Sequence, residues 1–169
     1  MMKSRVFQSI IISWLSMIAT DFLLHAGVLA DLYTRDSPFL LSADQAFARI
    51  PLGYLSFLLL TLMMFYFFKF RKPDSPETGL IEGLKIGGLV WLSLGIGIYS
   101  ISTIDLSLTI GWIIGQTIEM GIGGYFLALG LNNQSIYVAW KRLGLFAIIV
   151  LSITIILQVS GIAPSMEIK

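Results

Sequence analysis

Asp21 and His25 stand four residues apart in "TDFLLHAGVLADLY", residues 20–33, inside a long apolar run. Glu119 stands in another such run, beside Gln116 and Thr117. On a helix, a four-residue spacing sets an imidazole one turn from a carboxylate, within reach of a hydrogen bond. Such a pair can hold or pass a proton. A second carboxyl brought against the first could not ionise cheaply beside it, so the three groups would titrate as a coupled unit. The same residues have a plainer use, because a carboxyl kept neutral by desolvation can simply hydrogen-bond across helices. His25 is the single histidine and cysteine is absent, so thiolate metal sites, iron–sulfur clusters and disulfides are excluded. One imidazole among scattered carboxyls is neither a metal-ligand set nor an activated nucleophile. No catalytic residue, metal or cofactor is expected.

The elements that carry these groups are set by composition. Of 169 residues, 56% are hydrophobic and 12% charged, and the mean hydropathy is +0.86. This is the composition of an integral membrane protein. A spanning helix needs roughly 20 mostly apolar residues to cross about 30 Å of hydrocarbon. Five stretches meet that requirement, and they predict helices over about 6–30, 50–68, 80–104, 108–131 and 143–163. The runs are too long and too uniformly apolar for barrel strands. The expected fold is therefore all-α, one polytopic transmembrane bundle of five helices, with a core of four and a peripheral fifth. Lys3 and Arg5 ahead of the first run also fit a cleaved leader, but the run exceeds a leader's apolar core and no clear A-x-A site follows it.

Helix-end chemistry punctuates the runs. In "RKPDSPETG", Ser75 can cap, Pro76 suits the first helical position and Glu77 the first turn, so the third helix can begin near Pro76. Ser42 and Gln45 have capping-box spacing, which predicts a short helix near 42–49 leading into the second long one at Pro51. Few residues separate the third and fourth helices around Asp105, so those two should form a tight antiparallel hairpin. Lysines and arginines divide eight to three between the two membrane faces, Arg35, Arg49 and Lys169 being the minority. This predicts a cytoplasmic N-terminus and an external C-terminus in a cell inner membrane. A net charge of +1, spread over helix ends, points to no nucleic acid.

Small residues mark the expected packing faces. On the first helix Ser9, Ser13, Ser16, Thr20 and Gly27 lie near one line, with Asp21 and His25 on the adjoining strip. Gly111, Gly115, Glu119 and Gly123 recur every four residues on the fourth helix, and Gly83 and Gly87 repeat the device on the third. Glycines at this spacing permit close approach of membrane helices, so Glu119 should face a packed neighbour. Glu82 and Lys85 have the spacing of a local ion pair. The fifth helix, "LFAIIVLSITIIL", reads as the lipid-facing member.

The stretches "DFLLHAGVLADLY", "GLIEGLKIGGLVWLSLGIGIY" and "LSLTIGWIIGQTIEMGIGGYFLALGL" together resemble a group of small uncharacterised bacterial integral membrane proteins. Those proteins carry an Asp-Phe-x-x-His first helix and a Trp-x-x-Gly-x-x-x-Glu fourth helix. The resemblance spans about Ile18 to Leu131 and falls on Asp21, His25, Glu82, Gly83, Gly87, Trp112, Gly115 and Glu119. Ala26 stands here where that pattern has glycine. What the resemblance implies is the helices and the polar positions, without an activity. Two functions fit the sequence. In one, Asp21, His25, Gln116 and Glu119 form an intramembrane site for a proton, ion or small ligand. In the other, an accessory protein in contact with membrane lipids oligomerises, or docks in a larger complex, through its glycine faces.

Overall fold

A computed structural model describes residues 2–35, 37–132 and 135–164. Among them every regular element is helical. Helix α1 (Met2–Leu23) runs on into a π-helical turn, Leu24–Val28. Two short helices follow, α2 (Ala30–Thr34) and α3 (Ala43–Phe47). Four long ones complete the chain: α4 (Ile50–Arg71), α5 (Pro76–Ile101), α6 (Leu106–Asn132) and α7 (Ile136–Val159).

Four helical stretches are long and apolar enough to cross a membrane: 3–28, 50–71, 76–101 and 136–159. Large apolar side chains such as Leu59, Phe70, Leu89, Ile148 and Ile156 lie exposed along α4, α5 and α7. In water such faces would be aggregation-prone, whereas in lipid they are the solvated surface. Helix α6 is the exception. Its 27 residues reach about 40 Å at 1.5 Å per residue, but glycines, Gln116 and Glu119 dilute its apolar character, and it carries the largest share of buried residues.

The ends of the helices differ from the expected limits for local reasons. α4 runs through Lys69 and Arg71 beyond Phe68, because long basic side chains can remain helical while their charges reach water. It stops where Lys72 takes a left-handed conformation, φ 45°, just before Pro73. α5 starts at Pro76, with the Ser75 hydroxyl accepting the Thr78 N–H at 3.1 Å, and ends at Ile101, short of residue 104. α7 begins at Ile136 and stops at Val159; its first turns hold Tyr137, Trp140 and Lys141, helix formers that an apolar window passes over. The expected first helix, 6–30, is likewise displaced: regular α geometry starts at Met2 and gives way to the π turn before Ala30.

α6 is the hub of the bundle. α5 lies against it as the second arm of a hairpin, α1 packs along another face, and α4 and α7 flank α1. The α5–α6 seam is the tightest. A Cβ at Gly83 would fall on the Met120 carbonyl, and one at Gly124 on the Gly79 carbonyl, so only glycine allows the two backbones to meet. The glycines on the other face of α6 meet side chains: Leu29 and Leu32 at Gly111, Leu24 and Leu29 at Gly115, Met17 and Met64 at Gly123. α7 packs along α1 and buries Ala139, Leu143, Val150 and Thr154. It is thus no more peripheral than α4, because Ala139, Leu143, Val150 and Thr154 turn inward while most of its isoleucines face out.

Candidate functional site

The α1 strip of small residues sits fully inside the bundle. Ser9, Ser13 and Ser16 are buried, as is Thr20. Their hydroxyls bond to backbone carbonyls: Ser9 to Arg5 at 2.9 Å, Ser13 to Gly123 of α6 at 2.8 Å, Ser16 to Ser13 at 2.7 Å and Thr20 to Ser16 at 2.8 Å. Such back-bonding satisfies a hydroxyl in a medium without water. The chains run antiparallel here. Ser9 lies against Gly130, Met17 against Gly123 and Leu24 against Gly115, which brings Glu119 opposite Thr20 and Asp21.

Glu119 is completely buried, at 0% exposure. Gln116, one turn earlier, is beside it, yet no donor among the described residues reaches either carboxyl oxygen in hydrogen-bonding geometry. Across the contact stands the part of α1 that carries Asp21, between Met17 at Gly123 and Leu24 at Gly115. A buried polar group without a partner costs free energy and calls for an explanation. Two further buried nitrogens lack partners, the Trp91 indole N–H on α5 and one guanidinium nitrogen of Arg5. Arg5 otherwise donates from Nε to the Gly130 carbonyl at 3.0 Å, closing the end of α6.

Asp21 and His25 meet as their spacing requires. His25 Nδ1 lies 2.7 Å from Asp21 Oδ1 and 3.1 Å from the Asp21 carbonyl oxygen. Their side chains are 32% and 18% exposed for His25 and Asp21 respectively, so the pair lies nearer the surface of the bundle than Glu119 does. His25 occupies the π-helical turn, closed by a bond from the Leu29 N–H to the Leu24 carbonyl at 2.7 Å. A π turn widens the helix and redirects the side chains on it. It also leaves the Ala26 carbonyl to accept from Gln158 Nε2 of α7 at 2.9 Å, so the seventh helix holds the turn in place.

Beyond the turn α2 lies against the start of α6, with Leu32 at Gly111, which adds two groups that sequence spacing did not bring together. The Tyr33 ring lies 4.9 Å from the His25 ring, centroid to centroid, and its hydroxyl accepts the Trp112 indole N–H. Burial pushes the Tyr33 phenol above its ordinary value, so it stays protonated. Phe39 covers Trp112 at 6.0 Å. A tyrosine eight residues beyond a histidine has no helical relation to it once the helix breaks; Gly27 and the polar Asp31 were the available hints. Glu82, at the opposite end, pairs with both Arg71 of α4 at 3.0 Å and Lys85 at 2.9 Å. It ties α4 to α5 and takes no part in the cluster.

Asp21 and His25 meet on α1, and Gln116 and Glu119 are buried one turn apart on α6, with no hydrogen bond from Asp21 or His25 to Glu119. Gly111, Gly115 and Gly123 form the α6 surface on which α1 rests, and Gly83 and Gly87 face α6 from α5. Carboxyls and an imidazole in a mostly apolar setting are groups that can take up a positive charge. Among the described residues no three histidine, aspartate or glutamate side chains come together as a metal site. No protein-family model, curated protein or solved structure matches the chain. What the fold itself defines is an all-helical bundle with four helices fit to span a bilayer, the architecture of a membrane protein.

Proposed function

We propose that the chain is a small multi-pass protein of a cell inner membrane, crossing five times through α1, α4, α5, α6 and α7. In this reading Asp21, His25, Gln116 and Glu119 form an intramembrane site that binds or translocates a proton, an ion or a small ligand. The observation that carries it is Glu119, fully buried, with neither oxygen partnered, and across the α1–α6 contact from the part of α1 that carries a second carboxyl. A carboxyl serving only as an interhelical bond would have a donor. The rival reading relied on glycine faces for docking to copies or partners. Gly83, Gly87, Gly111, Gly115 and Gly123 all meet atoms of the same chain, which leaves docking without those faces. The resemblance to small bacterial membrane proteins accords with the inner-membrane location and the polar positions.

Asp21→Asn separates the two readings. It keeps size and one hydrogen-bonding oxygen for His25 while removing charge. The site reading expects a folded variant, as stable as the parent, that has lost pH-dependent ligand binding. Infrared difference spectra of the carboxyl band between about pH 5 and pH 8, around histidine's reference pKa of about 6.5, check this. Parent spectra without any coupled carboxyl change, and identical to those of Asp21→Asn, would remove the site.

A further inference from the structure

We infer that Glu119 exchanges a proton with one side only, the end of the bundle that carries α2, by way of His25 and Asp21, and that the path stops at Glu119. The inference rests on the intramembrane-site reading and adds to it the cargo and the direction of access.

Exposure falls stepwise along one line. His25 is 32% exposed, Asp21 18% and Glu119 0%. His25 Nδ1 is engaged by Asp21 at 2.7 Å, which leaves Nε2 as the nitrogen that takes up a proton. A proton gained there reaches the Asp21 carboxylate through the Nδ1–H bond; Glu119 stands across the α1–α6 contact without a hydrogen bond to it, so the last transfer waits on a side-chain rotation that brings the two carboxyls together. The imidazole returns to neutrality in the opposite tautomer and Asp21 to its carboxylate, so charge and protons balance at each step.

The opposite end of the same line is shut. Met17 is buried against Gly123 and Met64, and Met120 and Leu127 are buried with them. The hydroxyls that continue the polar strip have their protons committed to carbonyls, Thr20 to Ser16, Ser16 to Ser13 and Ser13 to Gly123. Arg5 and Ser9 close over Gly130 below them. No relay through these groups is available without breaking the α1–α6 contact.

The donor set favours a proton over a metal cation. Hard cations take six or more oxygens, whereas among the described residues no three histidine, aspartate or glutamate side chains come together, and Asp21 is already bonded to an imidazole. The charged and titratable groups around Glu119 are few. α1 supplies Asp21 and His25, and Tyr33 of α2 lies against the His25 ring, on the outer side of the pair. The charges of α5 (Glu77, Glu82, Lys85) and of α7 (Lys141, Arg142) lie toward the remote ends of those helices. Those of α6 are Glu119 itself, so one shared proton dominates the response.

A hydrophobic carbodiimide reads the loaded state. Its nitrogen takes the acid's proton as the carboxyl oxygen adds to its central carbon, and the adduct on Glu119 is located by peptide mass spectrometry. The full chain is placed in lipid vesicles in a single orientation. Because native cysteine is absent, a cysteine put at the exposed Gln45 of α3 identifies the α2 side with an impermeant thiol reagent. The adduct rate should follow the pH on the α2 side, by about tenfold per unit on the basic limb of the titration, and change less than about twofold with the pH on the other side. Rates that follow the other side, or both sides alike, overturn the one-sided path and leave the site reading intact. No adduct at any pH on either side overturns both.

Discussion

Gly83→Ala tests the α5–α6 seam directly. The new methyl would come within 3.0 Å of Gly121 Cα and 3.1 Å of the Met120 carbonyl carbon, and closer still to the Met120 oxygen. The optimal separation of carbon atoms is about 3.5–4.0 Å. All three neighbours are backbone, so no rotamer change relieves the overlap and the helices must part. Overpacking of this kind costs about 1–3 kcal/mol, and alanine's better helix propensity returns at most about 1 kcal/mol. The difference is a net loss of up to about 2 kcal/mol, centred near about 1 kcal/mol. Gly115→Ala is the internal control. Its methyl would meet Leu24 at 3.3 and 3.5 Å and Leu29 at 3.6 Å, ends of side chains that can yield, so its stability should stay within about 0.5 kcal/mol of the parent. Gly97→Ala, with nothing within 4 Å, should be neutral or better. Thermal unfolding of the three variants in one mild detergent compares them. The reasoning is refuted if Gly83→Ala is as stable as the parent, or if Gly115→Ala proves the costlier change.

Tyr33→Phe removes the acceptor of the Trp112 indole N–H and should cost about 1 kcal/mol, with a change in tryptophan emission and unchanged helix content; an unaltered spectrum would deny the contact. Asp105 accepts from the Leu108 N–H at 3.3 Å and the Ser107 N–H at 2.8 Å, and these bonds hold its carboxyl below the usual range. The bonded carboxylate stabilises the start of α6 above the unfolded-state pKa of about 3.9, and that contribution is lost as pH falls through the lower folded value. Asp105→Asn should therefore flatten the acid side of the melting-temperature profile, and parallel profiles for variant and parent would count against this capping role. Reporters inserted between Arg71 and Ser75, and fused after Lys169, should lie on opposite sides of the membrane; agreement between them would rule out five crossings.

Which parts of this were legible in the sequence follows from the range of the interactions. Long apolar runs announce helices because lipid leaves the backbone no other way to satisfy itself. The Asp21–His25 contact is legible for a similar reason, being one turn of local geometry. Spacing also shows that Gly111, Gly115 and Gly123 share a face with Glu119. It does not show what they touch. The backbone-to-backbone seam belongs to Gly79, Gly83 and Gly124, whereas Gly111, Gly115 and Gly123 receive leucine and methionine side chains. That distinction depends on the helix opposite. Tyr33 and Trp112 escaped for a related reason: they meet across 79 residues, through a π turn that no hydrophobic period encodes.

The α5–α6 seam also bears on how the chain enters a membrane. Helix α6 holds the buried carboxyl and is not one of the four helices apolar enough to span by themselves. A glutamate near the middle of an inserting segment costs free energy that its neighbours must offset. Only residues 102–105 separate α6 from α5, and α5 is apolar enough to span, its charges confined to its first turns, and offers a glycine groove shaped to receive it. In the proposed five-crossing arrangement α5 emerges first during synthesis, so the weaker helix follows a partner already in the bilayer and inserts as the second arm of a pair. A ribosome stalled before α6 is complete would leave α5 with its groove open to lipid, and a swap of α5 for an unrelated apolar helix would strand α6 at the surface.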